Sequence, residues 1–182
     1  MRRKDREITK LSEIKSILEK ADVMRIALNN GAYPYVVPVN FGFEMNGADL
    51  VLFFHGAKVG TKHDVILRDN HTTFEIDCGH MLMPPVGEES CTASFAYESI
   101  VGQGLVEQVD DSEKEALLVQ LLEQYGIAAN AFHPAQLANT AVYKIKVETF
   151  TAKRRINDRI SWNGLYVRNH LHNARICAIL AR

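Results

Sequence analysis

The chain has 182 residues, 47% of them hydrophobic, and a formal net charge of -1, which is typical of one globular domain with or without an appendage. Its first seven residues carry six charges, and no apolar stretch approaches the roughly 18 residues of a membrane helix; we expect neither a signal peptide nor a membrane span. Three irregularly spaced cysteines predict no disulfide framework and favour a cytoplasmic protein.

Periodicity and turn residues predict the elements of the chain in order. They are a helix at 9–20 with Thr9 as its N-cap, hairpin-linked strands at 23–28, 33–44 and 50–54, a helix at 61–69, a strand at 72–77, a loop at 79–90, a long strand at 94–109, a helix from Ser112 to Gly126, and a last strand at 140–153. Strands joined by hairpins do not follow the alternation of a doubly wound fold. We therefore expect a mainly β (α+β) protein whose antiparallel sheet closes into a small barrel with flanking helices.

Charge is distributed unevenly along the chain. Residues 153–182 contain seven basic residues and one acid, a sum of +6, so the remainder has a charge of -7. No nucleic-acid-binding motif accompanies these basic residues, and we do not expect nucleic acid as a partner. We divide the chain into a domain at 1–153 and a basic C-terminal extension at 154–182.

The stretch "HGAKVGTKHD", residues 55–64, lies between a predicted strand and a predicted helix. Thr61 and Asp64 have capping-box spacing, which predicts that the helix begins just after Gly60 and points free backbone N–H groups into the loop. Lys58 and Lys62 add positive charge, and the two glycines, at 56 and 60, allow close backbone approach. The stretch lacks the spacing of a Walker A loop. It predicts a binding site for an anion such as a phosphate monoester.

A metal site is an alternative interpretation of some of the same residues. The candidate ligands are His55, His63, Cys78, His80 and Cys91. No closely spaced four-ligand pattern supports this alternative, and we predict no metal.

Several stretches together resemble the 5-nitroimidazole resistance proteins, within the pyridoxamine 5'-phosphate oxidase-like FMN-binding split barrels. They are "MRRKDREI", "YPYVVPVNFGFE", "LFFHGAKVGTKHDVI" and "YESIVGQGLVE", and the resemblance covers about residues 1–153. It implies an antiparallel split β-barrel that forms a homodimer, with FMN, or FAD, in each of two clefts at the interface.

The resemblance also implies roles for particular residues. The phosphate would be held by the loop and helix start at Lys58, Gly60, Thr61 and Lys62. Other cofactor-binding positions would be Val37, Pro38, Val39 and Asn40 along the flavin ring, Phe54 and His55 beside the ring and ribityl chain, Gly56 and Ala57 after them, and Ser99 as a further polar contact. Some relatives have basic residues where Thr61 and Ser99 stand here.

The implied activity is that of a flavin-dependent oxidoreductase that reduces the nitro group of a 5-nitroimidazole toward the amine. His55 is the candidate catalytic proton donor, and its alternative role is a loop histidine that hydrogen-bonds the backbone. Two alternatives remain for the whole chain. One is pyridoxamine phosphate oxidation, suggested by "WNGLYVRNHLHNAR" at 162–175, and the other is flavin binding without turnover.

Overall fold

The computed structural model describes residues 3–156. Its regular elements, in chain order, are β1 (Glu7–Ile8), α1 (Leu11–Lys20), β2 (Met24–Leu28), β3 (Tyr35–Val39), β4 (Phe41–Asn46), β5 (Asp49–Ala57), α2 (Thr61–Arg68), β6 (His71–Met83), β7 (Ser94–Gln108), α3 (Asp111–Gln124), α4 (Pro134–Asn139) and β8 (Thr140–Arg155). Short 3-10 turns occupy Lys4–Arg6 and Ser90–Thr92. Across these residues, none of the helices is long and apolar enough to span a bilayer.

All strands pair antiparallel in one eight-stranded sheet, ordered β3-β2-β6-β7-β8-β5-β4, with β1 added on β8. The two end strands of this path, β3 and β4, are separated in sequence only by Asn40. One residue cannot bridge a flat sheet of this width, because neighbouring strands are about 4.8 Å apart. The sheet therefore curls until its two edges meet, which confirms the predicted antiparallel split β-barrel with flanking helices.

The junction at Asn40 is fixed by side chains from distant parts of the chain. The Asn40 amide donates to the Asp22 carbonyl oxygen over 3.1 Å. The Tyr125 hydroxyl, at the end of α3, accepts from the Phe41 backbone N–H at 3.0 Å and donates to the same Asp22 oxygen at 2.9 Å. These bonds hold the two sheet edges together where the barrel is split.

Two hydrophobic clusters hold the fold together. The larger fills the barrel interior, where the inward faces of the strands meet α1; its fully buried members include Phe41, Phe54, Phe74 and Tyr143. The smaller lies between α3 and the outer face of β5 and β8, and it contains Phe53, Val109, Leu117, Leu118, Leu121 and Val142. Strand β5 thus contributes consecutive phenylalanines to opposite sides of the sheet, as the two-residue period of a strand requires.

Glycines shape the long strand β7. The register of β7 against β8 shifts between Gln103 and Gly104. A Cβ at Gly102 would lie 2.6 Å from the Thr149 carbonyl oxygen and would overlap the Phe74 ring. Only a glycine at position 102 lets β7 lie this close to the Phe74 ring and to the backbone of β8.

The structure corrects several predicted boundaries. The strand predicted at 33–44 is two strands, since the chain changes sheet edge at Asn40. The strand predicted at 72–77 runs from His71 to Met83, with a bulge between Cys78 and Met81, and therefore includes part of the predicted loop. Helix α4 was not predicted.

The predicted start of α2 just after Gly60 is confirmed, although no side chain caps it. The other two predicted helix starts were wrong: α1 begins after Lys10, so Thr9 is not its N-cap, and α3 begins at Asp111 and not at Ser112. Gly126, by contrast, ends α3 with a φ of 71°, as predicted. The stretch 162–175 and the extension after residue 156 lie outside the described residues, so the predicted division into 1–153 and 154–182 stays a prediction.

Candidate functional site

Strand β5 ends at the predicted anion loop, and its last residues are fixed by β8. Phe54 pairs with Tyr143 and His55 with Val142. The Phe54 and Tyr143 rings stack with their centroids 5.1 Å apart. The Tyr143 hydroxyl contacts His63 Nδ1 of α2 at 2.9 Å, and burial, with a smaller effect of Asp64, raises the pKa of Tyr143 to about 12. This packing fixes the strand end and helix α2 relative to each other.

Lys62 folds back over the end of β5. Its ammonium donates to the His55 carbonyl oxygen at 3.2 Å and lies 5.5 Å from the centre of the Phe54 ring. An ideal Cβ at Gly56 would overlap Lys62 Nζ and lie 2.7 Å from its Cε. Only a glycine at position 56 leaves room for this ammonium, and burial lowers the pKa of Lys62.

His55 is half-buried beside this ammonium. Alternation along β5 places its side chain on the face that contains Phe53, which α3 covers. Burial and, to a lesser extent, the charge of Lys62 lower the pKa of His55. The imidazole is therefore neutral near pH 7, and its buried Nδ1 has no hydrogen-bond partner among residues 3–156. A neutral imidazole can donate or accept a hydrogen bond, but it lacks the second ring proton that a cationic acid would give up.

Lys58 contacts a different part of the molecule. Its backbone N–H donates to the Asn139 carbonyl oxygen at 3.2 Å, and its ammonium lies 3.7 Å from Asp111 Oδ1 at the start of α3. Helix α2 begins after Gly60, whose φ of 104° is a conformation that favours glycine. Thr61 is the exposed first residue of the helix, and Ala57 is the exposed last residue of β5. The loop thus presents two lysines, a helix N-terminus and glycine backbone at one end of the barrel.

The predicted ring-binding strand is β3, at one end of the sheet. Val37 and Val39 face the core, and Pro38 is exposed. Strand β3 pairs with β2 along one side only, so its other backbone edge has no strand partner in the described sheet. Asn40 precedes Phe41, which pairs with Phe54, so the end of β3 lies close to the end of β5.

Ser99 lies far from the loop within one chain. It pairs with Lys153 of β8, whereas His55 pairs with Val142. These β8 positions differ by 11 residues (153 minus 142), roughly 36 Å along the strand at about 3.3 Å per residue. Ser99 is buried, and its hydroxyl has no hydrogen-bond partner among the described residues. The structure therefore divides the predicted site residues into one group at the loop and Ser99 apart from it.

The candidate metal ligands do not form one cluster. No group of three or more His, Cys, Asp or Glu side chains within residues 3–156 could hold a metal ion. His63 contacts Tyr143, His80 contacts Asp77 at 2.9 Å, and Cys91 is an exposed free thiol.

Two residues at the site were not predicted from the sequence, Asp111 and Tyr143. Asp111 comes more than fifty residues after Lys58, within an acidic run that resembles any solvated helix start. Tyr143 follows the regular alternation of β8, so its sequence pattern is that of a core residue. No local sequence signal connects either residue with the loop, and only the pairing of β8 with β5 and the docking of α3 bring them there.

An antiparallel sheet whose edges meet at Asn40, with a basic loop between β5 and α2, defines a protein of the split-barrel class. The sequence profile described as pyridoxamine 5'-phosphate oxidase matches residues 10–154. The chain belongs to the pyridoxamine 5'-phosphate oxidase family.

Three solved structures have a similar fold. One, provisionally named a 5-nitroimidazole antibiotic resistance protein, is from Bacteroides thetaiotaomicron; it has a TM-score of 0.69 and 28% identity over 81% of this chain and 86% of that one. A flavocytochrome from Azotobacter vinelandii has a TM-score of 0.70 and 15% identity over 86% and 72%. An FAD and heme binding protein from Mycobacterium smegmatis has a TM-score of 0.69 and 18% identity over 84% and 74%. The last two likenesses concern the fold alone, and no curated protein matches the sequence.

Proposed function

We propose that this chain is a flavin-dependent oxidoreductase that binds FMN through the loop at 55–62 and reduces nitro-aromatic compounds of the 5-nitroimidazole type. The observation that carries the proposal is the position of Lys62. Lys62 is half-buried, and within residues 3–156 its ammonium forms no ion pair with a carboxylate. Partial desolvation of a cation is costly without a counter-ion, so the loop favours an anionic ligand.

The electrostatics of the loop suit a phosphate monoester. Helix α2 directs the free N–H groups of its first turn at the loop, and its N-terminus has a partial positive charge. Lys58 and Lys62 of the same loop add two ammonium groups. A phosphate monoester has a charge of roughly -1.5 to -2 near neutral pH, which these groups would balance.

The remaining residues suit the polar parts of a flavin. The unpaired edge of β3 offers backbone donors and acceptors next to Pro38 and Asn40. The Nδ1 atom of His55 and the hydroxyl of Ser99 are buried without partners among the described residues, and buried polar atoms generally have partners in a working protein. A ligand with several acceptors and donors would satisfy both.

A homodimer would bring the two groups of site residues together. Ser99 lies on the same face of β7 as Val101 and Phe95, whose exposed fractions are 40% and 56%. Exposed apolar side chains on one sheet face are typical of an interaction surface. We propose that a second copy covers this face, so that Ser99 of one copy approaches the loop of the other and completes two equivalent clefts.

A bound flavin would supply hydride and electron transfer, and the protein's own residues would bind it, orient it and manage protons. Lys58 and Lys62 would hold the phosphate, and the β3 edge would orient the ring. His55, kept neutral by its burial, would donate or accept one hydrogen bond at a polar atom of the cofactor or substrate. The nitroimidazole substrate class is supported by the name of the Bacteroides thetaiotaomicron structure. We also propose a cytoplasmic location, which the free thiol of Cys91 suits.

The first test is an absorbance spectrum of the purified protein, followed by mass identification of any released cofactor. We expect flavin bands, FMN in the released fraction, and a mass in solution near that of two chains. The second test mixes the dithionite-reduced protein with a 5-nitroimidazole under anaerobic conditions. Reoxidation of the flavin with reduction of the nitro group supports the proposal; the amine requires six electrons, so at least three reduced flavins are supplied for each nitro group. A protein that binds no flavin after refilling contradicts it, and bound flavin that the nitro compound does not reoxidise restricts the protein to flavin binding.

Pyridoxamine 5'-phosphate oxidation is a second candidate, because the matching profile is described by that activity. Release of hydrogen peroxide on addition of pyridoxamine 5'-phosphate to the aerobic protein would favour it over nitro reduction.

A further inference from the structure

Asp111 contacts two lysines with the same oxygen atom. Its Oδ1 lies 2.6 Å from Lys114 Nζ and 3.7 Å from Lys58 Nζ. Lys114 also donates to the Leu137 carbonyl oxygen at 3.2 Å. One carboxylate of α3 is therefore shared between a structural lysine and a lysine of the candidate phosphate loop.

The two ion pairs differ in how easily they can be broken. The side chain of Lys114 is 2% exposed, so loss of its carboxylate would leave a buried cation without a counter-ion. The side chain of Lys58 is 36% exposed and its contact is longer, so the ion pair is weak and water can replace it. Lys58 can leave Asp111 while Asp111 stays paired with Lys114.

The backbone of the loop does not have to move for this exchange. The Lys58 N–H is held by the Asn139 carbonyl oxygen, so the long side chain can turn about a fixed point. The α2 N-terminus and Lys62 lie within the same loop, on the other side of Gly60 in sequence. A phosphate that recruits Lys58 there would compete with Asp111 for its ammonium.

We propose that Asp111 competes with the cofactor phosphate for Lys58 and thereby lowers the affinity of the loop for phosphate esters. This inference rests on the proposed flavin site and adds a residue of another element to it. It assigns to Asp111 the role of an internal competitor, which would let the protein release and exchange its flavin. A carboxylate that merely oriented Lys58 toward the phosphate would have the opposite effect on affinity.

The test uses the full-length protein freed of flavin. It is titrated with FMN and, separately, with riboflavin, and binding is monitored by flavin fluorescence. In Asp111→Asn the amide oxygen can still accept from Lys114, which also keeps its bond to the Leu137 carbonyl oxygen. We expect this variant to be less stable but to bind FMN about two- to fivefold more tightly than the parent chain, the range of an exposed ion pair, with unchanged riboflavin affinity. Asp110→Asn is the matched control. It removes an exposed neighbouring acid that forms no ion pair among the described residues, so it measures the general effect of one lost charge.

A double-mutant cycle assigns the gain to Lys58. In a Lys58→Gln background, Asp111→Asn should leave the FMN affinity unchanged, since there is no ammonium to release. Weaker or unchanged FMN binding by Asp111→Asn alone, an equal gain in Asp110→Asn, or a gain that persists in the Lys58→Gln background overturns the proposal. In each of these cases FMN still binds more tightly than riboflavin, so the flavin site itself stands. If the parent chain binds neither compound, the proposed function and this inference both fail.

A measurement on the unmutated chain tests the proposal even if the variants do not fold. The side-chain carboxyl carbon of Asp111, observed by NMR in the labelled protein, should shift when FMN is added and stay in place when riboflavin is added. If FMN binds but neither ligand changes the chemical shift of this carbon, the proposal is overturned.

Discussion

Replacement of Gly56 by alanine tests the packing of Lys62. The new Cβ would overlap Lys62 Nζ and lie 2.7 Å from Cε, and both atoms are at the end of a flexible side chain. We therefore expect the ammonium to swing away while the backbone of β5 stays in its ladder with β8. The substitution removes the Lys62 contacts with the His55 carbonyl oxygen and the Phe54 ring.

The expected cost to stability is small. A hydrogen bond from a charged donor contributes about 1.5 kcal/mol or more, and a partly exposed cation–π contact about 0.5–1 kcal/mol. Two gains oppose this loss: the ammonium returns to water, and alanine is better suited than glycine to a strand by about 0.5–1 kcal/mol. We expect Gly56→Ala to lower the free energy of unfolding by less than about 2 kcal/mol, measured by urea denaturation.

The expected cost to phosphate binding is larger. If Lys62 and the bare backbone at position 56 hold the phosphate, the variant loses a charge-assisted hydrogen bond worth about 1.5–3 kcal/mol, which is about ten- to hundredfold in FMN affinity. Riboflavin lacks the phosphate, so its affinity should change little. The assay is a fluorescence titration with both compounds.

Gly102→Ala is the contrasting control. Its Cβ would meet the Thr149 carbonyl oxygen, which lies in the backbone, and the fully buried Phe74 ring. Neither group can move away cheaply, and we expect a loss of about 2 kcal/mol or more in the free energy of unfolding. The reasoning is refuted if Gly56→Ala destabilises the chain as much as Gly102→Ala does, or if it folds normally and binds FMN like the parent.

Three further predictions concern buried polar groups. Tyr143→Phe removes the hydroxyl that contacts His63, and urea denaturation should show a loss of about 1 kcal/mol; no loss would mean that the contact is energetically neutral. The pKa of His55 is lowered in the fold, so the unfolded chain takes up its proton first, and the free energy of unfolding should fall as the pH drops below about 6.5. His55→Gln should flatten this part of the pH profile, and an unchanged slope would contradict the assignment. Glu98 is 2% exposed and accepts from Arg154 Nε at 2.6 Å. Glu98→Gln should lower the free energy of unfolding by about 1–3 kcal/mol, the range of a hydrogen bond to a charged group, and a thermal midpoint equal to the parent's would contradict a stabilising role.

The long elements could be predicted from the sequence because their signals are local. Alternation predicted β7 and β8, helical spacing predicted α1 and α3, and Gly126 predicted the end of α3. The start of α2 after Gly60 was predicted correctly, whereas the starts at Thr9 and Ser112 were wrong, because whether a residue caps a helix depends on backbone geometry that the sequence pattern does not fix. The continuous strand predicted at 33–44 was wrong because nothing in the local sequence shows that the chain changes sheet edge at Asn40.

The site was predicted only in part for the same reason. The lysines, the glycines and the helix start of the loop are close in sequence, so their proximity in space could be predicted without knowledge of the tertiary structure. The contact of Lys58 with Asp111, the position of Lys62 over Phe54, and the separation of Ser99 from the loop depend on how distant segments dock.

The sequence by itself determined most of the barrel's strands, the family resemblance and the positive charge of the loop, because hydrophobic period, glycine positions and charge are properties of neighbouring residues. Only the tertiary structure decided that Lys62 lies half-buried over Phe54, that Lys58 and Lys114 share the carboxylate of Asp111, and that His55 Nδ1 and the Ser99 hydroxyl lack partners among the described residues. These are consequences of desolvation and of contacts between residues far apart in the chain, and they exist only after the sheet has closed and α3 has packed against it.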